Sequence, residues 1–520
     1  MDLIAGVFGE SPQPEGVIED RSPADLSVVL GTHPHSTVQI ERAVSAARAA
    51  LPAWSRRSLE ERVQLVRAIG ATAKKHEEAL AKAIALGMGK PLWEARTEVA
   101  AVVNKAAVTV DEGLKLVQGF SPPGTAPASG PDDLAAPAFE CRFRPLGVLG
   151  VLGPFNFPAH LPNGHVLPAL ACGNTVVMKP SEVCPGVAEL YARILHEAGV
   201  PPGVFNLVQG GGREGAALAG HPDVNGVLFT GSWDVGLAIE RQNLGHTRLL
   251  ALEMGGKNAA LILDDADLDK ALWDVCFSAF VSAGQRCTAT SRAIVVGSSA
   301  RADEFARRAA QLARSLTVGF SLDDVFMGPL ASEAALRKFE NGCQAARDGG
   351  RTLHQAAPVS ERRAPRAQIE EVLASTRVEP KGLRGCYATP AVHRIHVRAH
   401  TPYERDELFG PDLAVLHAAS LEEAAAIANE TDYGLAASVH TKSAPAFEAA
   451  CSLLECGIVN LNAPTVGASG RLPFGGTRRS GNHRPAGLTS TLYCTYPVAM
   501  MRGAPTLEGT KFPPGVTWQR

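Results

Sequence analysis

One cysteine of this chain lies in a segment whose residue types suit nucleophilic chemistry. Cys287 belongs to the segment AGQRCT, which follows an apolar helical stretch. The glycine in that segment predicts a turn that places Cys287 in a loop, whereas Cys276 is predicted in mid-helix. A loop cysteine beside Arg286 is expected to ionise more easily than a free thiol, whose pKa is about 8.5. The alternative for any of these cysteines is a small buried apolar side chain.

Two further polar residues lie at predicted strand ends and could assist such a nucleophile. Asn156 lies in GPFNFP, where aromatic and proline neighbours stiffen the loop after a strand. A rigid carboxamide N–H suits the stabilisation of an oxyanion, although a turn residue is the ordinary role of such an asparagine. Glu253 enters the glycine turn of LEMGGK, and its alternative role is that of a strand end facing solvent.

Lys179 and Glu182 belong to the segment KPSE at the end of another predicted strand. An ammonium and a carboxylate at the carboxyl end of a strand are placed to hold ribose hydroxyls. The alternative is a solvated helix start, in which Ser181 caps a helix that begins near Pro185.

A glycine pattern elsewhere matches a dinucleotide-binding fingerprint only in part. Gly210, Gly212 and Gly215 fit GxGxxG between a predicted strand and a predicted helix. The full fingerprint also needs an acidic residue about 20 positions later, at the end of the next strand. That strand ends in Phe229-Thr-Gly231 instead. A phosphate-binding turn and a simple tight turn both stay open.

The elements that must position these residues alternate between strand and helix. Residues 38–119 have helical periodicity, and a Pro-, Gly- and Ser-rich excursion follows at 121–138. Strands are predicted at 147–153, 174–180, 203–209 and 225–231, each followed by a helix. A second run has strands at 258–265 and 291–297 around a helix at 268–284. This alternation is typical of doubly wound parallel sheets, which bind ligands beyond the carboxyl ends of their strands. Residues 355–400 are left unassigned.

Composition narrows the possible classes of function. A chain of 520 residues predicts two or three domains. The net charge of −3 argues against nucleic acid and anionic membranes as partners. No apolar stretch approaches the ~20 residues of a membrane helix. Ten scattered cysteines without a CxxC pair predict neither disulfides nor a metal site, and they favour a cytoplasmic location.

Taken together and in this order, PFNFP, KPSE, FTGS, EMGGK, GQRCT and LFGP resemble the aldehyde dehydrogenase superfamily from about residue 35 to 500. The resemblance implies an α/β fold with a doubly wound NAD-binding domain at 1–121 and 144–253. It also implies an α/β catalytic domain at 254–455. A small oligomerisation flap with the C-terminal tail would comprise 122–143 and 484–520, in a homodimer or homotetramer.

The same resemblance assigns roles to residues. Cys287 would attack an aldehyde, the Asn156 amide and the Cys287 backbone N–H would hold the oxyanion, and Glu253 would activate water. NAD would be the cofactor, and no metal would take part. The residues expected to bind NAD are Phe155, Lys179, Ser181, Glu182, Gly231, Ser232, Gly236, Glu407 and Phe409.

Several longer segments are similar to one branch, the N-succinylglutamate 5-semialdehyde dehydrogenases of arginine catabolism. They are GPFNFPAHLPNGHVLPAL, LALEMGGKN, SAFVSAGQRCT, FGGTRRSGNHRP and KPLWEARTEV. The chain departs from the pattern by lacking a W-I-x-G-x-W opening strand, at residues 358–368 and in the tail from Arg502. The residues near these motifs that could bind substrate carboxylates are His160, His165, Arg286, Arg471, Arg479 and Arg484.

Three alternatives remain beside that reaction. The same chemistry could act on another small aldehyde. An acylating enzyme that passes the acyl group to coenzyme A generally lacks the glutamate base, so Glu253 argues against it. A non-catalytic binding relative would be expected to lack Cys287, Glu253 or Asn156, and all three are present.

Overall fold

The structure is a computed structural model that describes residues 1–123, 138–348, 368–373, 383–503, 506–507 and 511–518. The helices are α1 (Val38–Ser55), α2 (Leu59–Lys75), α3 (Glu77–Met88), α4 (Leu92–Ala107), α5 (His160–Ala171), α6 (Pro185–Glu197), α7 (Gly212–Gly220), α8 (Trp233–Gln242), α9 (Leu268–Phe280), α10 (Ser299–Ser315), α11 (Glu333–Arg347), α12 (Pro402–Arg405), α13 (Leu421–Asn429) and α14 (Ala444–Leu453). The strands are β1 (Asp2–Ile4), β2 (Val7–Gly9), β3 (Gly16–Arg21), β4 (Val29–His35), β5 (Ala138–Pro145), β6 (Val148–Leu152), β7 (Thr175–Lys179), β8 (Phe205–Leu207), β9 (Gly226–Thr230), β10 (Leu249–Glu253), β11 (Asn258–Ile262), β12 (Thr290–Val296), β13 (Gln368–Leu373), β14 (Ala391–Val397), β15 (Asp412–Ala418), β16 (Tyr433–Gly434), β17 (Ala436–His440), β18 (Ile458–Leu461), β19 (Pro473–Phe474), β20 (Thr477–Arg478), β21 (Ala486–Gly487) and β22 (Thr495–Arg502).

The first large sheet has the order β10-β9-β6-β7-β8-β1-β2. The strands from β10 to β8 are parallel, and β1 and β2 add an antiparallel edge. The chain begins the parallel part at β6, then adds β7 and β8 on one side and β9 and β10 on the other. The sheet is therefore doubly wound, as predicted, with its topological switch at β6.

Alternate residues of β6 pack against different layers of helices. Leu149 and Val151 belong to a core that includes residues of α2, α4, α5 and α6. Val148 and Leu152 belong to a second core, with residues of α1, α7 and α8. Because both faces are covered, the parallel strands are continuous apolar runs rather than alternating ones.

The second large sheet has the order β13-β14-β15-β12-β11-β17-β18. Its strands are parallel except β13, which is antiparallel to β14. The predicted strand at 258–265 is shorter than expected, since β11 ends at Ile262. Strand β18 lies beyond residue 455, the predicted limit of the catalytic domain, so the second sheet extends past that limit.

The N-terminal residues form strands although the W-I-x-G-x-W pattern is absent. A tight turn with left-handed Ala5 and Gly6, at φ values of 54° and 81°, joins β1 to β2. The Ala5 N–H donates to the Asn206 side chain at 3.0 Å, and Leu3 pairs with Leu207 of β8. Backbone pairing with the edge of the first sheet therefore forms these strands without the W-I-x-G-x-W pattern.

Strands β5 and β22 form a separate two-stranded ribbon. They lie in the two segments predicted to build the flap.

Most of the predicted excursion at 121–138, and residues 358–367 of the chain-specific segment, lie outside the described residues. In the stretch 355–400, for which the sequence predicts no element, the structure shows β13 and β14. None of the helices in the described ranges is long and apolar enough to cross a membrane.

Candidate active site

The carboxyl ends of four neighbouring strands bring distant sequence segments together. In the order β10-β9-β6-β7, these ends are followed by Met254, Gly231, Gly153 and Pro180. Leu152 is in register with Lys179, and Glu253 with Thr230. The predicted segments GPFNFP, KPSE, FTGS and LEMGGK therefore lie along one edge of the first sheet.

The second sheet supplies residues from the loops that precede its strands. Cys287 precedes β12, Glu407 and Phe409 precede β15, and Asn258 is the first residue of β11. A β-carbon at Gly256 would lie 2.7 Å from the Cys287 carbonyl oxygen, so glycine is required for this close approach. The candidate site lies between the carboxyl edge of one sheet and the amino edge of the other.

The Cys287 loop is held through its backbone. Asn258 Nδ2 donates to the carbonyl oxygens of Cys287 at 2.7 Å and Ala289 at 2.8 Å. Burial, followed by the carboxylates of Glu407 and Glu253, raises the pKa of the Cys287 thiol to about 12. The thiol therefore needs a base to become a nucleophile.

The predicted activation of Cys287 by Arg286 is wrong. The Arg286 guanidinium donates to a Glu94 carboxylate oxygen at 2.9 Å and to Ser282 Oγ at 2.8 Å. Its charge is compensated by Glu94, and its lowering effect on the pKa of Cys287 is smaller than the effects of burial and the two other carboxylates.

The helix predicted over 268–284 ends at Phe280, because Val281 is extended and the three residues after it are left-handed. Ser282, Ala283 and Gly284 have φ values of 58°, 52° and 68°. This conformation costs about 1–2 kcal/mol for each non-glycine residue. Glu94 offsets the cost, since its carboxylate accepts hydrogen bonds from the Ser282 N–H at 3.1 Å and from the Ser282 hydroxyl.

Asn156 joins the two edges directly. The residue is buried, and its Nδ2 donates to the Gln285 carbonyl oxygen at 3.0 Å. Gln285 lies two residues before Cys287 and was not singled out in the sequence. A carboxamide carries two N–H donors, so this bond leaves one for an oxyanion at Cys287.

Glu253 is a buried carboxylate, and its Oε2 has no hydrogen-bond partner within the described residues. Burial raises its pKa well above the usual range, although the Ala486 backbone N–H opposes that shift. A β-carbon at Gly475 would lie 2.7 Å from Glu253 Oε1, so Gly475 leaves room for the carboxylate. A carboxylate with a raised pKa is a stronger base once it is ionised.

Lys179 and Glu182 lie together at the end of β7. Lys179 Nζ lies 3.3 Å from Glu182 Oε2 and donates to the Gly210 carbonyl oxygen at 3.0 Å. The Glu182 side chain is half exposed, so its carboxylate is accessible to a ligand. The alternative role of Ser181 as a helix cap is wrong: Cys184 is the N-cap of α6, and Ser181 Oγ accepts from the Val183 N–H.

The GxGxxG segment is a tight turn filled by its own side chain. Glu214 Oε2 accepts from the Gly211 N–H at 2.8 Å, and a β-carbon at Gly210 would lie 2.5 Å from the Glu214 β-carbon. A carboxylate in this position disfavours a phosphate group. The tight-turn interpretation is therefore favoured over the phosphate-binding one.

Helix α8 begins as predicted after Gly231 and Ser232. Ser232 is the N-cap, and its Oγ accepts from the Val235 N–H. A β-carbon at Gly236 would lie 2.4 Å from the Met254 sulfur, so glycine allows the helix to pack closely on the end of β10.

Glu407 and Phe409 reach the site from the loop before β15. Glu407 Oε1 accepts from the Gly256 N–H at 2.9 Å, and burial raises the pKa of Glu407 to about 7. The Phe409 ring makes an edge-to-face contact with Phe155, with centroids 5.8 Å apart. Phe155 and Phe409, two predicted NAD-binding residues next to strands of different sheets, are therefore in contact. Glu407 lies close enough to Cys287 to raise the pKa of its thiol.

Most candidate carboxylate-binding residues have partners already. Arg286 pairs with Glu94, Arg471 with Glu112, and Arg479 with Asp432. His165 Nδ1 lies 2.7 Å from the Tyr493 hydroxyl oxygen. The two other candidates are His160, next to the Asn156 loop, and Arg484, whose guanidinium donates to the His483 carbonyl oxygen.

Sequence reasoning missed a set of buried charges on one helix. Lys90, Glu94 and Glu98 precede or lie in α4, and all three are buried. Their segment, KPLWEARTEV, enters the sequence analysis only as one of the segments that are similar to a known family. Two glutamates four residues apart on an otherwise apolar helical face were a usable signal, because such side chains share one face.

Comparison with known proteins gives a consistent picture. The sequence pattern of the aldehyde dehydrogenase family matches residues 10–498. An N-succinylglutamate 5-semialdehyde dehydrogenase from Burkholderia vietnamiensis is 38% identical over 98% of both chains. An aldehyde dehydrogenase from Pseudomonas syringae, solved with NAD+ and octanal, has a TM-score of 0.86 at 32% identity and covers 97% of both chains. An NADP-dependent enzyme from Escherichia coli has a TM-score of 0.85 at 30% identity, over 96% of this chain and 98% of its own.

Proposed function

The chain belongs to the aldehyde dehydrogenase family, and from that premise we propose that it oxidises an aldehyde to a carboxylic acid with NAD through a thioester on Cys287. The observation that carries the proposal is the meeting of three groups between the two sheets. Asn156 is bonded to the loop of Cys287, and the Glu253 carboxylate lies close enough to raise the pKa of the Cys287 thiol.

In the first step the Cys287 thiol gives its proton to a solvent base, and the thiolate attacks the aldehyde carbon, which places negative charge on the aldehyde oxygen. The remaining N–H of Asn156 and the Cys287 backbone N–H stabilise that charge. Loss of one such donor typically raises the barrier by about 2.7–4 kcal/mol. NAD, when bound, would supply the acceptor for the hydride of the former aldehyde carbon, which would leave the acyl group on Cys287 as a thioester.

The second step is hydrolysis of the thioester. Glu253 takes a proton from water, the hydroxide adds to the acyl carbon, and the C–S bond breaks to return the Cys287 thiolate. The raised pKa of Glu253 makes its ionised form a stronger base. Glu253 supports hydrolysis over transfer to coenzyme A, and the presence of Cys287, Asn156 and Glu253 supports an enzyme over a non-catalytic binding relative.

Replacing Glu253 by glutamine should slow hydrolysis more than acylation, because water, with a pKa of about 15.7, is a much weaker acid than the thiol and depends more on this base. Rapid-quench measurements on Glu253→Gln should show a burst of one NADH per active site, followed by turnover slowed at least a hundredfold. Glu240→Gln, an exposed change on α8, serves as the control and should behave like the wild type. Loss of the burst in Glu253→Gln would mean that Glu253 acts before the hydride leaves.

The residues at the edge of the first sheet fit NAD by their chemistry. An accessible carboxylate at Glu182 and an ammonium at Lys179 match ribose hydroxyls, and the start of α8 at Ser232 presents a helix N-terminus suited to a pyrophosphate. Phe155 and Phe409 offer an apolar contact for a nicotinamide ring near Cys287. Glu407 would accept hydrogen bonds from the nicotinamide ribose.

Glu182 should make the enzyme prefer NAD, because the 2′-phosphate of NADP would approach a carboxylate. A like-charge pair at ~4 Å and an effective dielectric of ~20 costs about 4 kcal/mol before relaxation. Relaxation and Lys179 should reduce this to about 1–2 kcal/mol, or roughly tenfold in kcat/KM. Glu182→Ser should narrow the gap. Equal use of NAD and NADP by the wild-type enzyme would contradict this placement of the ribose.

We further propose that the substrate is N-succinyl-L-glutamate 5-semialdehyde, oxidised to N-succinyl-L-glutamate in arginine catabolism. The names of relatives such as that from Burkholderia vietnamiensis support this substrate. The competing proposal is another small aldehyde with the same chemistry. An acidic substrate needs a cation that is not already neutralised by a protein carboxylate.

Lys105 is such a cation. Its side chain is buried, it donates to the Gly487 carbonyl oxygen at 2.7 Å, and it has no ion pair with a carboxylate in the residues that the structure describes. Two of its three N–H donors remain for a ligand. Its charge lowers the pKa of both His160 and His165, which lie on the helix that follows Asn156.

Lys105→Met should raise KM for the acidic semialdehyde at least tenfold and leave KM for hexanal nearly unchanged. Burial lowers the pKa of Lys105 to about 8. In the wild type, the ratio of kcat/KM for the acidic aldehyde to that for hexanal should therefore fall as the pH rises through about 8. The ratio should be flat in Lys105→Met. Exposed Lys115→Met is the control, and an unchanged ratio in Lys105→Met would contradict the assignment.

We propose that the β5–β22 ribbon joins copies of the chain into a homodimer or homotetramer in the cytoplasm. The ribbon exposes Phe139, Tyr496 and Met501, and its strands belong to neither large sheet. Exposed apolar side chains on an isolated ribbon favour an interface. No disulfide joins the cysteines of the described residues, which supports a reducing compartment.

A further inference from the structure

Two buried glutamates on α4 each hold one of the loops that meet at Cys287. Glu94 and Glu98 are 0% and 1% exposed, and they lie one helical turn apart on the same face. Neither belongs to the predicted site. The contacts of these two buried carboxylates indicate their role.

Glu98 binds the loop that carries Asn156. Its Oε1 accepts from the backbone N–H groups of Ala159 at 3.0 Å and His160 at 3.1 Å. Its Oε2 accepts from Lys90 Nζ at 2.7 Å, and both of these side chains are fully buried. One carboxylate thus fixes the start of α5, three and four residues after Asn156.

Glu94 binds the loop that carries Cys287. Its carboxylate accepts from the Ser282 N–H at 3.1 Å, from the Ser282 hydroxyl and from Arg286 at 2.9 Å. These bonds hold the left-handed turn at Ser282 and the residue next to the nucleophile. The second carboxylate therefore fixes the other side of the site.

Phe157 links the two halves of this arrangement. Lys90 Nζ lies 3.3 Å from the centroid of the Phe157 ring, and Arg286 Cζ lies 5.1 Å from it. Both distances are within the range of a cation–π contact. The partner of Glu98 and the partner of Glu94 thus contact the same ring, in the residue after Asn156.

We propose that Glu94 and Glu98 are positioning residues that set the distance between the two donors of the oxyanion hole, the Asn156 amide and the Cys287 backbone N–H. The inference rests on the proposed function. Both carboxylates project from one rigid helix, so the spacing of the two loops follows the spacing of Glu94 and Glu98. Apolar residues would fill this volume without the desolvation cost of three buried charges and a partly buried one, so stability alone does not account for them. Oxyanion stabilisation is sensitive to displacements of about 0.5 Å, so the loss of either tether should weaken it.

Two reactions of Cys287 distinguish this role from a general structural one. With p-nitrophenyl acetate, the thiolate attacks the acetyl carbon, an oxyanion forms, and p-nitrophenolate leaves as the thioester appears. With iodoacetamide, the thiolate displaces iodide, a C–S bond forms, and no oxyanion develops. The ratio of the two rates at Cys287 therefore reports on the oxyanion hole and cancels changes in thiol ionisation.

Both rates are measured on the full chain without cofactor, by p-nitrophenolate release and by mass spectrometry of the Cys287 peptide. Glu94→Gln and Glu98→Gln should each lower the acylation rate at least tenfold and change the alkylation rate less than twofold. Asn156→Ala is the benchmark and should show the same selective loss. Glu78→Gln breaks an exposed ion pair between Glu78 and Arg96 of α4 and should match the wild type.

An equal fall of acylation and alkylation in Glu94→Gln or Glu98→Gln, or no fall in either rate, would overturn the positioning role. If Asn156→Ala shows no selective loss, the oxyanion hole of the proposed function fails instead. Should a single variant not fold, as judged by its melting temperature, the charge-balanced pairs Glu94→Gln/Arg286→Met and Glu98→Gln/Lys90→Met replace it. A wild-type acylation-to-alkylation ratio in these pairs would overturn the proposal.

Discussion

A hydrogen bond from Asn156 Nδ2 to the Gln285 carbonyl oxygen joins the two sheets at the candidate site. One partner follows β6 of the first sheet, and the other precedes β12 of the second sheet. Both must stay in place if the carboxamide is to face Cys287. Three features allow or fix the close approach of the loops at this site. They are the left-handed turn before Cys287, the glycine at position 256 and the buried glutamates of α4.

Burial dominates the electrostatics of the site. Burial and the carboxylates of Glu407 and Glu253 raise the pKa of Cys287. Burial alone raises the pKa of Glu253 well above its usual range and that of Glu407 to about 7. Arg286, adjacent in sequence, is neutralised by Glu94 and does not reverse this effect. The protein therefore keeps a protonated thiol next to weakly acidic carboxylic acids, a combination suited to base-assisted attack rather than to a permanently ionised nucleophile.

The features that depend on parallel strands could be predicted from the sequence alone. Buried apolar runs predicted β6, β7 and β9, and residues after their carboxyl ends had to lie along one edge. Contacts between residues that are distant in the chain could not be predicted from the sequence. The end of α9 depends on Glu94, far away in the chain, and the partner of Arg286 is that same glutamate. Residue spacing within a loop could suggest that Arg286 acts on Cys287, but only the packed structure shows a stronger competitor.

In the proposed reaction the acyl group of the substrate becomes bonded to the sulfur of Cys287. The most direct measurement is the intact mass of Glu253→Gln, quenched in acid within the first turnover with aldehyde and NAD, followed by peptide mapping. We expect a mass increase equal to the acyl group less one hydrogen, confined to the peptide that contains Cys287. An unmodified Cys287, measured while one equivalent of NADH has formed, would contradict the thioester.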